Sequence, residues 1–513
     1  MKPLLDAVLL DIGGTLVQQA APGTPVADLE VQLRPSAVED LTWLAESVQL
    51  GAVTDTAIMD EQQVRGLLEP SGLADLLPTI VTSVDVGCAK PDPLSLITAM
   101  ERLGIEDGSR VLYIGDRPED EEAAERAGIQ YLPIAGLTGD RDQTLRQVVQ
   151  NWLERTAGHR FEEARARIGK ANIEMANAAA ALQGQLTKPP GALGRLESIS
   201  IQLAGIAGAC PPPVPEPACV AVFAADHGIA EWGVSPWPQE VTAQMVANFD
   251  TGGAAVNVLA RQADADVVVV DVGVAHPIPL ALDGDTKVVH RKVRAGTSNL
   301  AVGPAMSRVE ALLGLDVGVE IAETAVAAGA GCLITGEMGI ANTTSATAII
   351  AAITNSTPED ITGRGSGADD EMLARKIAVI EAAITDLTTT AGPLTVLEQI
   401  GGFEIAAMAG LIVGGAAARV PVIIDGVIAD AAALVAAQLA PDIVDYVIAG
   451  HRSTEPAAKA ALAFLGIEPV LDLDLRLGEG TGAVLSLPVV QAAALTLREM
   501  ATFDGAGVSR EKE

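Results

Sequence analysis

The sequence predicts two α/β domains in one chain, each built on a mainly parallel, doubly wound (Rossmann-like) sheet, the first small and the second large with extra helices. Three observations lead there. Short apolar runs that read as strands alternate with stretches of helical period along nearly the whole length. At 513 residues the chain is too long for one ordinary core. Hydrophobic content is 49% but aromatics only 3%, so the core must be built from Ala, Val, Leu and Ile, whose small volumes let helices lie close to a sheet.

The alternation starts at once. Ala7 to Ile12 is a continuous apolar strand, followed by Gly-Gly-Thr-Leu16. A helix over Pro35 to Ser47 has Val38, Leu41, Leu44 and Ala45 on one face. A second strand covers 51–54 and a third covers Val111 to Asp116. Polar groups sit just past these strand ends: Asp11, Thr54, Lys90 and the pair Asp116 and Asp120. A carboxylate nucleophile, a hydroxyl, a lysine and two further acids make a phosphoryl-transfer set: the acids hold Mg²⁺, and the lysine and hydroxyl hold the transferring group.

In this order the motifs of residues 5 to 140 resemble those of the haloacid dehalogenase-like hydrolases. The resemblance implies Asp11 as phosphatase nucleophile, Thr54 and Lys90 as phosphate-binding residues, and Asp11, Asp116 and Asp120 as Mg²⁺ ligands. The segment between Asp11 and Thr54 is too short for a separate cap domain, so the first domain is capless. One departure matters. The family's phosphatases carry a second aspartate two residues after the nucleophile, as general acid, and here that place is Gly13. Two readings of the first domain therefore stand side by side: a phosphatase, or a non-catalytic assembly module.

An amphipathic helix over Asp142 to Thr156 ends at Ala157-Gly-His-Arg160, and a second helix is expected from about Arg160 to Gln185. The boundary is placed near 158, giving domains 1–158 and 159–513. Beyond it, strands are expected at Cys219 to Ala224, Val267 to Val272, Cys332 to Thr335, Val420 to Asp425, Tyr446 to Gly450 and Pro469 to Leu475, with apolar helices between. The last alternates apolar residues from Leu471 to Leu477 and stops in Gly478-Glu-Gly-Thr-Gly482, which sets one carboxylate, Glu479, on a tight turn. Ligands in open parallel sheets bind at the carboxyl ends of strands, so Glu479 is the candidate proton-moving group. Glycine turns near Gly336, Gly339, Gly363, Gly365 and Gly426, with Lys376 and Ser453, are candidates for holding an anion. Asp226, His227 and His451 read as sheet-end packing residues.

Five stretches of the second domain resemble the nicotinate-nucleotide:dimethylbenzimidazole phosphoribosyltransferases: 188–197, 234–249, 336–344, 363–370 and 476–482. The likeness runs from about residue 160 to 505. It implies transfer of the phosphoribosyl group of nicotinate mononucleotide to 5,6-dimethylbenzimidazole, giving α-ribazole 5′-phosphate and nicotinate, a step of cobalamin lower-ligand synthesis. Another heterocyclic acceptor stays open. Glu479 is the implied proton acceptor. Ser235, Gln244, Glu337, Gly339, Gly365, Lys376, Gly426, Ser453 and Leu477 are the implied substrate-binding residues. The reaction calls for no cofactor, and the family implies a homodimer. Ala341 and Ala192 depart from the glycine and serine usual at those places. If the first domain is a phosphatase, the phosphomonoester made behind it is the natural candidate substrate.

Net charge of −34 and a pI near 4.4 exclude general binding to nucleic acid or anionic membranes. Small molecules are the expected partners. None of the four cysteines forms a CxxC pair, so free thiols in a reducing cytoplasm are expected. The N-terminus, broken by acids, does not read as a signal peptide. The longest uncharged apolar run, Ile405 to Ala418, is short of the ~20 residues of a membrane span and reads as a buried helix.

Overall fold

The computed structural model describes residues 4–19, 24–25, 29–137, 143–280, 286–385, 387 and 391–509. The chain divides into two compact units, Met1–Thr156 and Ala157–Glu513. Asp142, the expected first residue of a helix, lies outside the described residues, and that helix covers Leu145–Thr156.

Among its described residues the first unit holds five strands: β1 (Ala7–Asp11), β2 (Gln49–Thr54), β3 (Thr79–Thr82), β4 (Val111–Gly115) and β5 (Gln130–Pro133). They lie in the order β3-β2-β1-β4-β5, every pairing parallel. β1, β2 and β4 coincide closely with the apolar runs. β3 (Thr-Ile-Val-Thr) and β5 (Gln-Tyr-Leu-Pro) escape a pattern-based reading because each holds only two apolar residues in succession. With β1 central and its neighbours parallel, Asp11, Thr54 and Gly115 all end at one edge of the sheet.

Among its described residues the second unit has six parallel strands: β6 (Ala218–Ala225), β7 (Ala265–Gly273), β8 (Val288–His290), β9 (Cys332–Met338), β10 (Val422–Ile424) and β11 (Val447–Ala449), ordered β11-β10-β9-β6-β7-β8. Helix Phe403–Ala417 covers one face of this sheet, and helix Thr481–Glu499 covers the other. The first of these is buried along almost its whole length, as its Ala/Gly run predicts. Helix Arg308–Ala327 packs on it through glycines. A Cβ on Gly318 would lie on the Ala407 carbonyl oxygen, and one on Gly410 on that of Leu315. That close approach is how a core poor in aromatics reaches native density. Among the described residues one helix, Thr481–Glu499, is long and apolar enough to cross a membrane, and 56% of that window is buried inside the fold.

Three expectations need correction. The helix expected over 160–185 is two, His159–Arg167 and Ile173–Gln183, because Ile168 leaves the helical region and Asn172 starts a new helix by capping the Met175 N–H. Leu471 to Leu477 is not a strand. It runs past the outer edge strand β11, bonded through Val470 N–H to Ala449 O and Leu471 N–H to Gly450 O, and Asp474 at φ 57° breaks the alternation. Gly336 sits inside β9 rather than in a turn.

Candidate active site

The carboxyl ends of β9, β10 and β11 converge on a cavity of about 660 Å³ in the second unit. One wall is apolar, formed by Val234, Trp237, Val241, Met245, Met338 and Leu477. A polar wall is formed by Thr343, Gly365, Lys376, Gly426 and Ser453. An apolar wall for a flat ring and a polar wall for a charged group are what a nucleotide-sized ligand needs.

Glu479 lines this cavity, buried, on the turn before helix Thr481–Glu499. Its φ is 65°, a left-handed conformation that a residue with a side chain holds only when its surroundings fix it. Two neighbours do so. Asp425, after β10, accepts hydrogen bonds from the Gly480 N–H (3.3 Å) and Ala483 N–H (2.9 Å). Gly336 brings β9 so close that a Cβ there would lie 2.4 Å from the Glu479 carbonyl oxygen. Glu479 Oε2 accepts the Val256 N–H at 3.2 Å, while Oε1 takes no hydrogen bond from a described residue. Burial raises the Glu479 pKa, and the Val256 bond opposes it only in part. A carboxylate made more basic by burial, with one oxygen free, is suited to accept a proton.

Glu337, at the end of β9, accepts hydrogen bonds from the Asn342 side chain and the Glu479 backbone N–H. Burial, reinforced by the charges of Glu404 and Asp425, pushes it up to about 8, so it is largely protonated at neutral pH. Asp425 is pushed up to about 6 by burial, against its backbone hydrogen bonds. Lys376 is buried beneath the polar wall, donating to Thr343 Oγ1 (2.9 Å) and the Gly363 carbonyl (3.2 Å). Burial lowers its pKa, with Glu455 opposing. Glu455 in turn holds the Gly365 N–H at 2.9 Å. Gly426 opens helix Val427–Leu439, whose first N–H groups have no side-chain cap.

Ser235, Glu337, Gly339, Gly365, Lys376, Gly426, Ser453, Leu477 and Glu479 thus meet at one cavity. Gln244 does not. On helix Glu240–Asp250 the spacing turns Val241 and Met245 inward and leaves Gln244 exposed. Gly336 and Gly363 do not line the cavity; a Cβ on Gly363 would collide with the Glu455 carboxylate, so both glycines serve close packing. His227 is buried against Glu404 at 2.8 Å, outside the cavity lining. His451 does line it, and its Nε2 accepts the Leu473 and Leu475 N–H groups (3.0 and 3.4 Å), replacing the ladder that 471–477 lacks. Ala341 has φ 74°, so alanine there is strained rather than harmless. Sequence reasoning missed Asp425 and Glu455 as site residues. The signal for Asp425 was a lone acid ending an apolar strand and followed by glycine; Glu455 had none.

In the first unit, Lys90 Nζ lies 2.6 Å from both Asp11 Oδ1 and Asp120 Oδ1, all three buried. Burial pulls the lysine down, but the two carboxylates outweigh it and keep it charged. Tyr113 donates to Asp120 at 3.1 Å, and Thr15 to Asp116 at 3.4 Å. Arg34 pins the loop after the nucleophile by donating to the Thr15 and Gly14 carbonyls. Thr54 is buried at the end of β2, and Asp55 beside it pairs with Arg117 at 3.1 Å. Burial pushes Asp11 up to about 7, with Lys90 opposing. Ligand atoms of Asp11, Asp116 and Asp120 lie within 4.8 Å of one another, and Asp11 Oδ2 is buried without a hydrogen-bond partner. An orphaned carboxylate oxygen among three acids fits a divalent cation bound through oxygen.

Residues 168–508 match the phosphoribosyltransferase family, and residues 24–134 match the haloacid dehalogenase-like hydrolases. The chain is 52% identical over 363 residues, covering 68% of itself and all of the relative, to a nicotinate-nucleotide–dimethylbenzimidazole phosphoribosyltransferase of Salinispora tropica. It is 53% identical over 347 residues, 67% of itself and 97% of the relative, to the protein of that name from Chloroflexus aggregans. The crystal structure of the protein of that name from Thermus thermophilus is covered in full by 66% of this chain, at 46% identity and a TM-score of 0.63. The chain therefore belongs to the nicotinate-nucleotide–dimethylbenzimidazole phosphoribosyltransferase family and carries a haloacid dehalogenase-like unit ahead of the transferase.

Proposed function

We propose that the second unit transfers the phosphoribosyl group of nicotinate mononucleotide to 5,6-dimethylbenzimidazole, releasing nicotinate and α-ribazole 5′-phosphate, as a step toward the lower ligand of cobalamin. The observation that carries this is Glu479: a buried, raised-pKa carboxylate with one free oxygen on the wall of a half-apolar cavity. A ring nitrogen of the acceptor attacks the anomeric carbon from the face opposite nicotinate. The pyridinium leaves with its bonding electron pair and becomes neutral at nitrogen. Glu479 takes the proton of the acceptor's other ring nitrogen. Lys376, Ser453 and the uncapped amides after Gly426 suit the 5′-phosphate, and protonated Glu337 can donate a hydrogen bond toward ribose or nicotinate. Ser235, Gly339, Gly365 and Leu477 complete the substrate wall.

The reading extends to a cytoplasmic homodimer needing no cofactor in the transferase. Trp237 and Leu477, 52% and 59% exposed at the cavity, are the apolar surface a second copy would cover; light scattering tests this. For the first unit the reading is a phosphoryl-transfer centre with Asp11 as nucleophile. Asp11, Asp116 and Asp120 would hold Mg²⁺, which when bound would offset charge on the transferring group, and Lys90 and Thr54 would hold its oxygens. The test of the transferase is product identification: purified chain, nicotinate mononucleotide and dimethylbenzimidazole should yield nicotinate and the α-riboside phosphate in equal amounts. No riboside, with folded protein, would overturn the assignment. Competition with adenine and phenols ranks the acceptors.

A further inference from the structure

We propose that the first unit accepts its phosphoryl group from donors whose leaving group departs as a stable anion, acyl or aryl phosphates, and not from alkyl phosphates such as the sugar 5′-phosphate made by the transferase. This rests on the reading of Asp11 as a phosphoryl-accepting nucleophile.

Among the described residues the site has every part of a phosphoryl-transfer centre but a proton donor. Asp11 is fixed by Lys90 through Oδ1, leaving Oδ2 to meet phosphorus or a cation. The other groups around it are committed. Asp120 is paired with Lys90, and Asp55 with Arg117 and the Lys90 N–H. Asp116 belongs to the three-acid set and accepts from Thr15. Lys90 is held between two carboxylates, and Tyr113 donates to Asp120. No described residue stands ready to protonate a departing alkoxide. At Gly13, two residues past the nucleophile, a Cβ would meet nothing within 4 Å and φ is not left-handed, so the gap is real space and not a glycine required by the backbone.

Chemistry then selects the donor. The Asp11 carboxylate forms a bond to phosphorus as the P–O bond to the leaving group breaks, and the leaving group takes the electron pair. An alkoxide needs a proton at that moment; a carboxylate or phenolate does not. Water next attacks the phosphorus of the Asp11 acyl phosphate. The bond to Asp11 breaks, its carboxylate is restored, and the protons of water pass to phosphate and solvent. With no described residue free to act as base this second step is slow, so the Asp11 adduct persists.

The full chain is incubated with Mg²⁺ and, separately, acetyl phosphate, p-nitrophenyl phosphate and ribose 5-phosphate. Phosphate release is followed, and the adduct is read by intact-protein mass spectrometry. We expect an adduct and turnover from the first two, no adduct in Asp11→Asn, and adduct formation from ribose 5-phosphate slower than from p-nitrophenyl phosphate by ~10²–10⁴-fold. Gly13→Asp should raise ribose 5-phosphate hydrolysis by a similar factor. Adduct formation from ribose 5-phosphate within about tenfold of that from p-nitrophenyl phosphate overturns the proposal while leaving the phosphoryl-transfer reading intact. No adduct and no turnover with any donor overturns both. If Gly13→Asp fails to fold, the wild-type ranking of donors still decides.

Discussion

Gly336 and Glu479 touch through their backbones: a Cβ on Gly336 would lie 2.4 Å from the Glu479 carbonyl oxygen and 3.0 Å from its carbonyl carbon. Strand β9 is thus the wall against which the turn bearing the proposed base is set. Gly336→Ala should push that turn outward, costing ~1–3 kcal/mol of stability and lowering kcat more than it raises KM. Thermal melting with steady-state kinetics reads both. Wild-type kcat in a folded variant would show that the contact does not place Glu479.

Glu479→Gln keeps the shape and removes the basicity. It should lower kcat by ~10²–10⁴-fold with nicotinate mononucleotide affinity unchanged by calorimetry. Because burial raises the Glu479 pKa, the wild-type rate should fall with decreasing pH above the ordinary carboxylate range, as the base takes up its proton. That acid limb should vanish in the glutamine variant.

Lys376 is the buried cation of the cavity's polar wall. Lys376→Met should weaken binding of nicotinate mononucleotide by ~1.5–3 kcal/mol, the worth of a hydrogen bond to a charged group. Binding of nicotinate riboside, which lacks the phosphate, should change little. Equal loss for both ligands would place the phosphate elsewhere.

His451 is held neutral: burial lowers its pKa, and its Nε2 accepts two N–H groups. A histidine whose folded pKa lies below its unfolded value gives its full stabilisation above ~6.5 and loses it as pH falls through the folded value, since the unfolded chain then binds more protons. Melting temperature should therefore drop below neutrality in the wild type and more shallowly in His451→Gln. Parallel curves would rule out the ring as the sensor.

Ala341 sits at φ 74°. A left-handed alanine costs ~1–2 kcal/mol, and glycine's extra chain entropy returns ~0.4–1 of that. Ala341→Gly should therefore raise the denaturant midpoint of the second unit slightly and leave kcat unchanged.

The sequence carried the fold well where strands were long and apolar. β6 and β9 are buried runs, β7 carries four successive valines, and Phe403–Ala417 follows from composition alone. β3, β5 and β8 each hold only two apolar residues in succession and left too little pattern to see, whereas β10 and β11, equally short, are apolar throughout. The alternation of Leu471 to Leu477 misled because it belongs to an extended edge segment tied down by an imidazole, a contact no periodicity encodes. Most of the cavity was legible because glycine turns at parallel strand ends must gather along one edge. Gln244 was not, since a motif gives membership of a helix and not which way one amide turns. The role of Asp425 depends on β10 meeting a turn 55 residues later in the chain.

Asp425 occupies the amides that open helix Thr481–Glu499. That helix start is consequently spent on an internal anion and closed to any phosphate from outside, whereas the one after Gly426 is not. The Glu479 carboxylate is thereby held in place by described residues of the protein itself. Catalysis should accordingly begin without a lag on mixing, and the energetic cost of holding Glu479 in its awkward backbone geometry is borne once, during folding, rather than at every turnover.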